Sequence, residues 1–114
     1  MSKPRLLDDA AFKHLRMGEF ESFRRCMESR KSADFTGTDL RGVDFRGVDL
    51  SKVILRDAYL RDTDLRGCDL RQVDLTGASM HNAKIAGAFF ASNLPPAEIQ
   101  LSVQLGTRLR IPAA

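Results

Sequence analysis

The sequence predicts a mainly β solenoid closed by helices at both ends, and three observations predict it. Residues 33–92 divide without a slip into twelve five-residue units, which read ADFTG TDLRG VDFRG VDLSK VILRD AYLRD TDLRG CDLRQ VDLTG ASMHN AKIAG AFFAS. Every unit has a bulky apolar residue at its centre and a small or β-branched residue two positions earlier. The segments before and after the repeat carry the spacing and end signals of helices.

The N-terminal segment predicts two helices that cover one end of the repeat. Asp8 or Asp9 can cap a first helix, which ends near Met17 because a glycine follows. A second helix runs to about Arg30. Its apolar residues at i, i+3 and i+7 form one stripe: Phe20, Phe23 and Met27. A solenoid exposes its core and strand edges at each end, so we expect this stripe to cover them.

The five-residue period predicts short extended segments joined by turns. Five matches neither the helical period of 3.6 nor strict alternation. Within each unit, the small residue and the centre are two apart, so both face the same side of an extended segment. Glycine or another residue tolerated in turns closes many units. The apolar residues therefore face inward, but the period alone leaves open how many units complete one coil.

This pattern resembles the pentapeptide repeat family, whose consensus is A(D/N)LXX. The resemblance implies a right-handed quadrilateral β-helix with four units per coil. The repeat then makes about three coils, stacked about 4.8 Å apart; we call residues 33–52, 53–72 and 73–92 the first, second and third coils. Under this stacking Cys68 lies inside, between Val48 and Ala88, as a small apolar residue.

The C-terminal segment predicts a short helix. Pro95 and Pro96 suit its start and Gly106 its end. It contains four large apolar residues: Ile99, Leu101, Val103 and Leu105. The segment can serve as a second lid or as a dimerisation element. We therefore predict a single domain over residues 1–114, with an N-terminal helical cap (1–32), the solenoid (33–92) and a C-terminal helical cap or tail (93–114).

The positive charge behind the total of +3 comes from the segments outside the repeat. Residues 1–32 carry a net charge of +3 and residues 93–114 of +1, whereas the repeat, with 8 Lys and Arg against 9 Asp and Glu, carries −1. Seven units have Asp before the centre and six have Arg after it. These residues can form a basic ladder for nucleic acid or a surface whose charges neutralise one another. The near-zero net charge favours the second interpretation.

The composition predicts a protein that is not an enzyme. The inward positions are almost all apolar, so the solenoid offers no cleft with converging catalytic groups. His14 and His81 stand apart from any cysteine cluster, and Cys26 and Cys68 lack a CxxC partner. We therefore expect no catalytic residue, cofactor, metal site or small-molecule substrate. Reduced cysteines, the charged N-terminus MSKPRLLDD and the lack of a long apolar run favour a cytoplasmic protein without a membrane segment.

Three apolar residues occupy the outward position that Asp usually fills: Ile54, Tyr59 and Phe89. For Phe89 we expect burial under the C-terminal helix. Ile54 and Tyr59 are either covered by a lid or form a contact surface. The candidate protein interface comprises Ile54, Tyr59, Ile99, Leu101, Val103 and Leu105.

These observations favour a rigid protein–protein interaction module that self-associates, with a second copy or another protein as its partner. One alternative is a DNA-mimic regulator of DNA gyrase or another topoisomerase, an activity that the family resemblance implies. Three coils of nearly neutral repeat depart from the long acidic solenoid of such mimics. A second alternative is weak nucleic-acid binding through basic residues of the N-terminal helices: Lys13, Arg16, Arg24, Arg25, Arg30 and Lys31.

Overall fold

The computed structural model describes residues 3–112 and contains three helices within that range. Helices α1 (Ala10–Arg16) and α2 (Phe20–Glu28) precede the repeat, and α3 (Pro96–Leu105) follows it. The strands have two residues each: β1 (Ala33–Asp34), β2 (Val53–Ile54), β3 (Asp69–Leu70) and β4 (Phe89–Phe90). Most of the repeat is therefore turn and single-residue bridge.

Parallel pairing in the repeat joins residues that are 20 apart. Strand β1 pairs with β2 through Ala33 and Val53, and β3 pairs with β4 in the same spacing. Isolated bridges continue it from Asp39 to Tyr59 and from Tyr59 to Ser79. Twenty residues are the length of four five-residue units, so the paired units lie four places apart along the repeat.

Aspartate side chains close the turns of the repeat. In each of the seven units with Asp before the centre, its Oδ1 accepts the backbone N–H two residues later at 2.9–3.2 Å: Asp34, Asp39, Asp44, Asp49, Asp64, Asp69 and Asp74. This local bond mimics a backbone turn. The turn then needs a left-handed residue at many unit ends, which Gly supplies at most of them and Asp57, Asp62 and Asn82 supply elsewhere.

The unit centres form the core. From Phe35 to Met80 every centre is at most 2 % exposed, whereas Ile85 and Phe90 in the third coil are half-buried. Thr38 and Thr63 also face inward, where each hydroxyl donates to a backbone carbonyl three residues earlier. Cys68 is buried as predicted, and that burial raises the pKa of its thiol.

The N-terminal helices cover the first coil. Helix α1 begins after Asp9, whose Oδ1 accepts the backbone N–H groups of Ala11 (2.8 Å) and Phe12 (3.3 Å). The Phe12 ring meets the Phe35 ring edge-on, with centroids 5.3 Å apart. Helix α2 buries two residues of its predicted stripe, Phe23 and Met27, and half-buries the third. The caps and the repeat therefore share one apolar cluster.

The C-terminal tail is bonded to one edge of the third coil. The Gly77 N–H donates to the Leu109 carbonyl (2.8 Å), and the Leu109 N–H donates to the Ala78 carbonyl (2.9 Å). Asn82 donates its N–H to the Val103 carbonyl (2.9 Å). Helix α3 ends at Gly106, whose φ of 77° is the left-handed geometry of a glycine C-cap.

The expectation that the C-terminal helix buries Phe89 is wrong. Phe89 is 55 % exposed, and the Arg71 guanidinium lies 5.4 Å from its ring centroid. The tail bonds to residues 77–82, so it follows a different edge of the third coil. Within residues 3–112, no helix has the length and apolar character needed to cross a membrane.

Candidate interaction surface

Helix α3 presents an apolar stripe to solvent. Leu101 is 36 % exposed and Leu105 is 67 % exposed, and Ala97 is exposed one turn earlier. Residues four apart lie on the same side of a helix. We call Ala97, Leu101 and Leu105 the C-terminal stripe. The opposite side of the helix packs on the core through Ile99 and Val103, which are half-buried.

Helix α3 itself has little charge beside the C-terminal stripe, although Arg41 and Arg61 line the hollow at Leu105. Gln100 and Gln104 are exposed beside it. The only charged residue of α3 is Glu98, which accepts hydrogen bonds from the Arg110 side chain at 2.9 and 3.1 Å. These bonds lower the pKa of Glu98. The helix therefore offers apolar and amide groups to a partner without an unpaired charge.

Tyr59 lies half-buried beside the C-terminal tail. Its hydroxyl accepts a hydrogen bond from Arg108 Nη2 at 3.2 Å, and the Arg108 guanidinium lies 5.4 Å from the ring centroid. Tyr59 and Leu105 line one shallow hollow. The structure thus brings these two predicted interface residues together.

The other predicted interface residues have different surroundings. Leu101 continues the exposed stripe away from Leu105, while Ile99 and Val103 face the core. Ile54 is half-buried and pairs with Asp34 in the first coil. Sequence reasoning missed Ala97, although the spacing of four from Leu101 would have found it.

The charge ladders of the repeat consist of bonded pairs. Within a unit, the Arg after the centre donates two hydrogen bonds to the Asp before it, with Nη2–Oδ2 distances of 2.6–2.8 Å: Arg41–Asp39, Arg46–Asp44, Arg66–Asp64 and Arg71–Asp69. Between coils, Arg46 reaches Asp64 at 3.2 Å and Arg56 reaches Asp74 at 3.0 Å. Hydrogen bonds from the guanidinium groups lower the pKa of Asp64 and of Asp69 to about 2.

The basic residues of the N-terminal helices are also mostly paired. The ion pairs are Lys13–Asp8, Arg16–Asp39, Arg24 with Glu21 and Glu28, and Arg30–Asp9. Among residues 3–112, Arg25 and Lys31 take part in no ion pair. Most of these cations already have a carboxylate partner, which weakens their attraction for phosphates.

The two histidines lie apart from each other, each in contact with a different neighbour. His14 is hydrogen-bonded to Glu19 at 3.0 Å, and His81 packs against Gly106. Within residues 3–112, no three His, Cys, Asp or Glu side chains are grouped to hold a metal ion. A groove of about 270 Å³ between α2 and the first coil is lined by Phe20 and Val48, with charged residues at its rim.

Comparison with known proteins identifies the repeat. A sequence model of the family described as pentapeptide repeats matches residues 31–57 and 54–90, with eight copies of the repeat. No curated protein and no solved structure matches the chain. The matched residues cover more than half of the sequence and coincide with most of the predicted units.

Proposed function

This chain belongs to the pentapeptide repeat family, and from that premise we propose that it is a non-enzymatic protein–protein interaction module that self-associates. The family implies a β-helix solenoid, and members are generally structural or interaction modules. We propose that the repeat of this chain is a right-handed quadrilateral β-helix of three coils. Pairing between residues 20 apart supports four units per coil.

The observation that carries the proposal is the exposed C-terminal stripe. Large apolar side chains on a helix surface lose contact with water when a second copy covers them, at about 25 cal/mol for each Å² buried. In a twofold dimer the stripe packs against itself, because the same surface patch is used by both copies. The neighbouring Gln100 and Gln104 can then exchange hydrogen bonds without burying a charge.

The size of the helix indicates that the contact extends beyond it. One side of a helix of 10 residues, about 15 Å long, has much less surface than the about 800 Å² that each partner buries in a stable interface. The surface continues from Leu105 across the hollow to Tyr59. We therefore propose that the interface comprises the C-terminal stripe and the face around Tyr59, with Ile54 at its margin.

Two free cysteines, one buried and one half-buried, are compatible with the cytoplasm as the compartment of this protein.

Self-association is tested by replacing Leu101 and Leu105 together with Gln. The double variant Leu101→Gln/Leu105→Gln keeps the charge and removes the apolar surface. In light scattering over a range of protein concentrations, the unaltered protein is expected at the mass of a dimer. The variant is expected at the monomer mass of 12.7 kDa.

A matched control separates this site from general surface hydrophobicity. Leu6 (66 % exposed) and Met17 (71 % exposed) lie in the N-terminal segment, and Leu6→Gln/Met17→Gln should leave the dimer intact. Thermal unfolding of each variant shows that it is folded. A monomer for the unaltered protein at high concentration, or equal loss of the dimer in both double variants, contradicts the proposal.

The paired ladders support this function over DNA mimicry. A mimic of duplex DNA must present uncompensated negative charge at about one charge per 1.7 Å. Four in-unit Asp carboxylates of the repeat are instead held by Arg at 2.6–2.8 Å. A supercoiling assay with gyrase should accordingly show no inhibition.

A further inference from the structure

Arg61 differs from the other arginines of the repeat. An Arg after a unit centre has two positions from which Asp can pair with it: two residues earlier in its own unit, or 18 residues later in the next coil. Arg46 uses both positions, and Arg56 uses the second. The remaining arginines use the first: Arg41, Arg66 and Arg71.

For Arg61 both of these positions lack a carboxylate. The residue two earlier is Tyr59, and the residue 18 later is Ser79. Within the described part of the chain, its nearest carboxylate oxygen is Oδ2 of Asp62, 3.5 Å from Nε, and both side chains are more than half exposed. Among residues 3–112, no group accepts a hydrogen bond from its guanidinium.

Arg61 lines a hollow that contains further cationic and donor groups. The hollow has a volume of about 290 Å³, and its lining includes Arg41, Arg61, His81 and Leu105. Arg41, Arg61 and His81 are 20 residues apart in sequence, so they form a column with the spacing of paired strands, about 4.8 Å. Arg41 uses Nε and Nη2 to bind Asp39, and its Nη1 is outside that pair.

The charges around the hollow leave an excess of cations. Asp39 is shared between Arg41 (2.8 Å) and Arg16 (3.6 Å). At the side of the tail, Arg108 lies 3.9 Å from the nearest oxygen of Asp57. Arg61 and Arg108 therefore have only loose contacts with carboxylates, unlike the bidentate pairs of the ladders.

Among residues 3–112, the carbonyl groups at the C-terminal end of α3 accept no hydrogen bond from Arg61 or Arg108. The carbonyl end of a helix attracts positive charge. Here the Val103 carbonyl accepts the Asn82 N–H, and the Gly106 carbonyl accepts the Ser79 hydroxyl. Neutral groups thus satisfy these carbonyls, so the Arg61 guanidinium stays available to a ligand.

We propose that this hollow binds a single phosphoryl group through Arg61. A planar guanidinium binds two oxygens of a phosphate at once. The neighbouring Arg41 and His81 place further positive or donor groups within one coil spacing, which suits a dianion. Leu105, 67 % exposed at the rim, offers an apolar contact to the organic part of a phosphorylated molecule. One chain supplies every residue of the hollow, but the hollow lies on the surface proposed for self-association. Phosphate binding is therefore measured at protein concentrations at which light scattering shows the monomer, so that failure of one proposal is distinguishable from failure of the other.

The test is a titration with inorganic phosphate at constant ionic strength, followed by backbone amide shifts in NMR. Saturable shifts are expected at residues 59–62, 79–82 and 105–106. Arg61→Ala should weaken the affinity for phosphate by about tenfold or more, since hydrogen bonds between charged groups are stronger than those between neutral groups. Arg66→Ala, which removes the same charge from a bidentate pair in the next unit, should change the affinity less than twofold.

Two results overturn the proposal. One is the absence of saturable shifts at the hollow in the unaltered protein. The other is equal weakening by Arg61→Ala and Arg66→Ala, which would show that phosphate responds only to the total charge.

Phenyl phosphate, titrated in parallel, identifies the source of the phosphoryl group. Tighter binding than inorganic phosphate, lost in Leu105→Ser, supports a phosphorylated molecule with an apolar body. Equal binding of the two probes, with the same dependence on Arg61, supports free phosphate as the ligand.

Discussion

At the scale of single residues, the Asp before a unit centre has a structural role in addition to its charge. Asp64 accepts its own backbone N–H two residues later at 3.2 Å and also binds Arg66. The same carboxylate thus closes the turn and neutralises the ladder. In the unit of residues 58–62, Tyr59 stands where most units have this Asp, so the unit lacks both the Asp turn bond and the Asp–Arg pair. Arg61 therefore has no carboxylate two residues earlier to bind.

The inward centre of a middle unit should be much more sensitive to truncation than its outward neighbour. Leu60 is fully buried, so Leu60→Ala should lower the free energy of unfolding by about 2–5 kcal/mol through lost burial and a residual cavity. Arg61 is exposed, and Arg61→Ala should cost less than about 0.5 kcal/mol. Urea unfolding measures both values, and similar values for the two variants would contradict the inward assignment of Leu60.

At the scale of elements, short helices depend on their ends and on one packed side. Helix α1 has only seven residues, too few to be stable alone. Its stability comes from the cap at Asp9 and from the burial of Phe12 and Leu15 against the first coil. Helix α3 lacks a side-chain cap bond and is held instead by its Pro start, its Gly end and the bonds of the tail to the third coil.

Asp9 and Asp8 provide a matched test of the α1 cap. Asp9 bonds two backbone N–H groups and also Arg30 at 3.1 Å, whereas Asp8 is exposed and pairs, among residues 3–112, only with Lys13. Asp9→Ala should reduce the free energy of unfolding by about 0.5–2 kcal/mol, and Asp8→Ala should leave it nearly unchanged. Chemical denaturation checks this, and equal effects would place the cap elsewhere.

At the scale of the whole molecule, the paired ladders link stability to pH. Carboxylates of the first and second coils have a pKa below the usual range, chiefly because of hydrogen bonds to Arg side chains or to backbone and hydroxyl groups. A carboxylate with a lowered pKa in the folded state stabilises the fold above its unfolded pKa of about 3.9. That contribution is lost as the pH falls toward the folded pKa.

We therefore expect the melting temperature to fall as the pH is lowered from about 5 to 2. Asp64, with a pKa of about 2, contributes across this interval, so Asp64→Asn should flatten the dependence while its amide oxygen keeps the turn bond. In Asp62→Asn, which removes a carboxylate outside the bidentate pairs, the dependence should stay. Calorimetry across this range measures it, and identical slopes in both variants would contradict the role of the ladder.

Local patterns predicted the helices, the inward residues and the turns. The ends of α1, α2 and α3 lie within about two residues of the sequence expectation, because caps and breakers act on neighbouring residues. The inward positions were predictable because an extended unit leaves only one arrangement that buries its apolar pair. The Asp-closed turns were also predictable from the sequence, since Asp commonly bonds its own backbone two residues later.

The sequence by itself determined the division into five-residue units, the inward residues and the family of this protein, because a five-residue repeat imposes the same local geometry in every unit. Only the tertiary structure decided the path of the C-terminal tail, and with it which surfaces are open. The tail leaves Phe89 exposed, turns Ile99 and Val103 inward, and brings Arg108 to Tyr59 across 49 residues of sequence. Such contacts depend on hydrogen bonds between distant backbone segments, which no local pattern specifies.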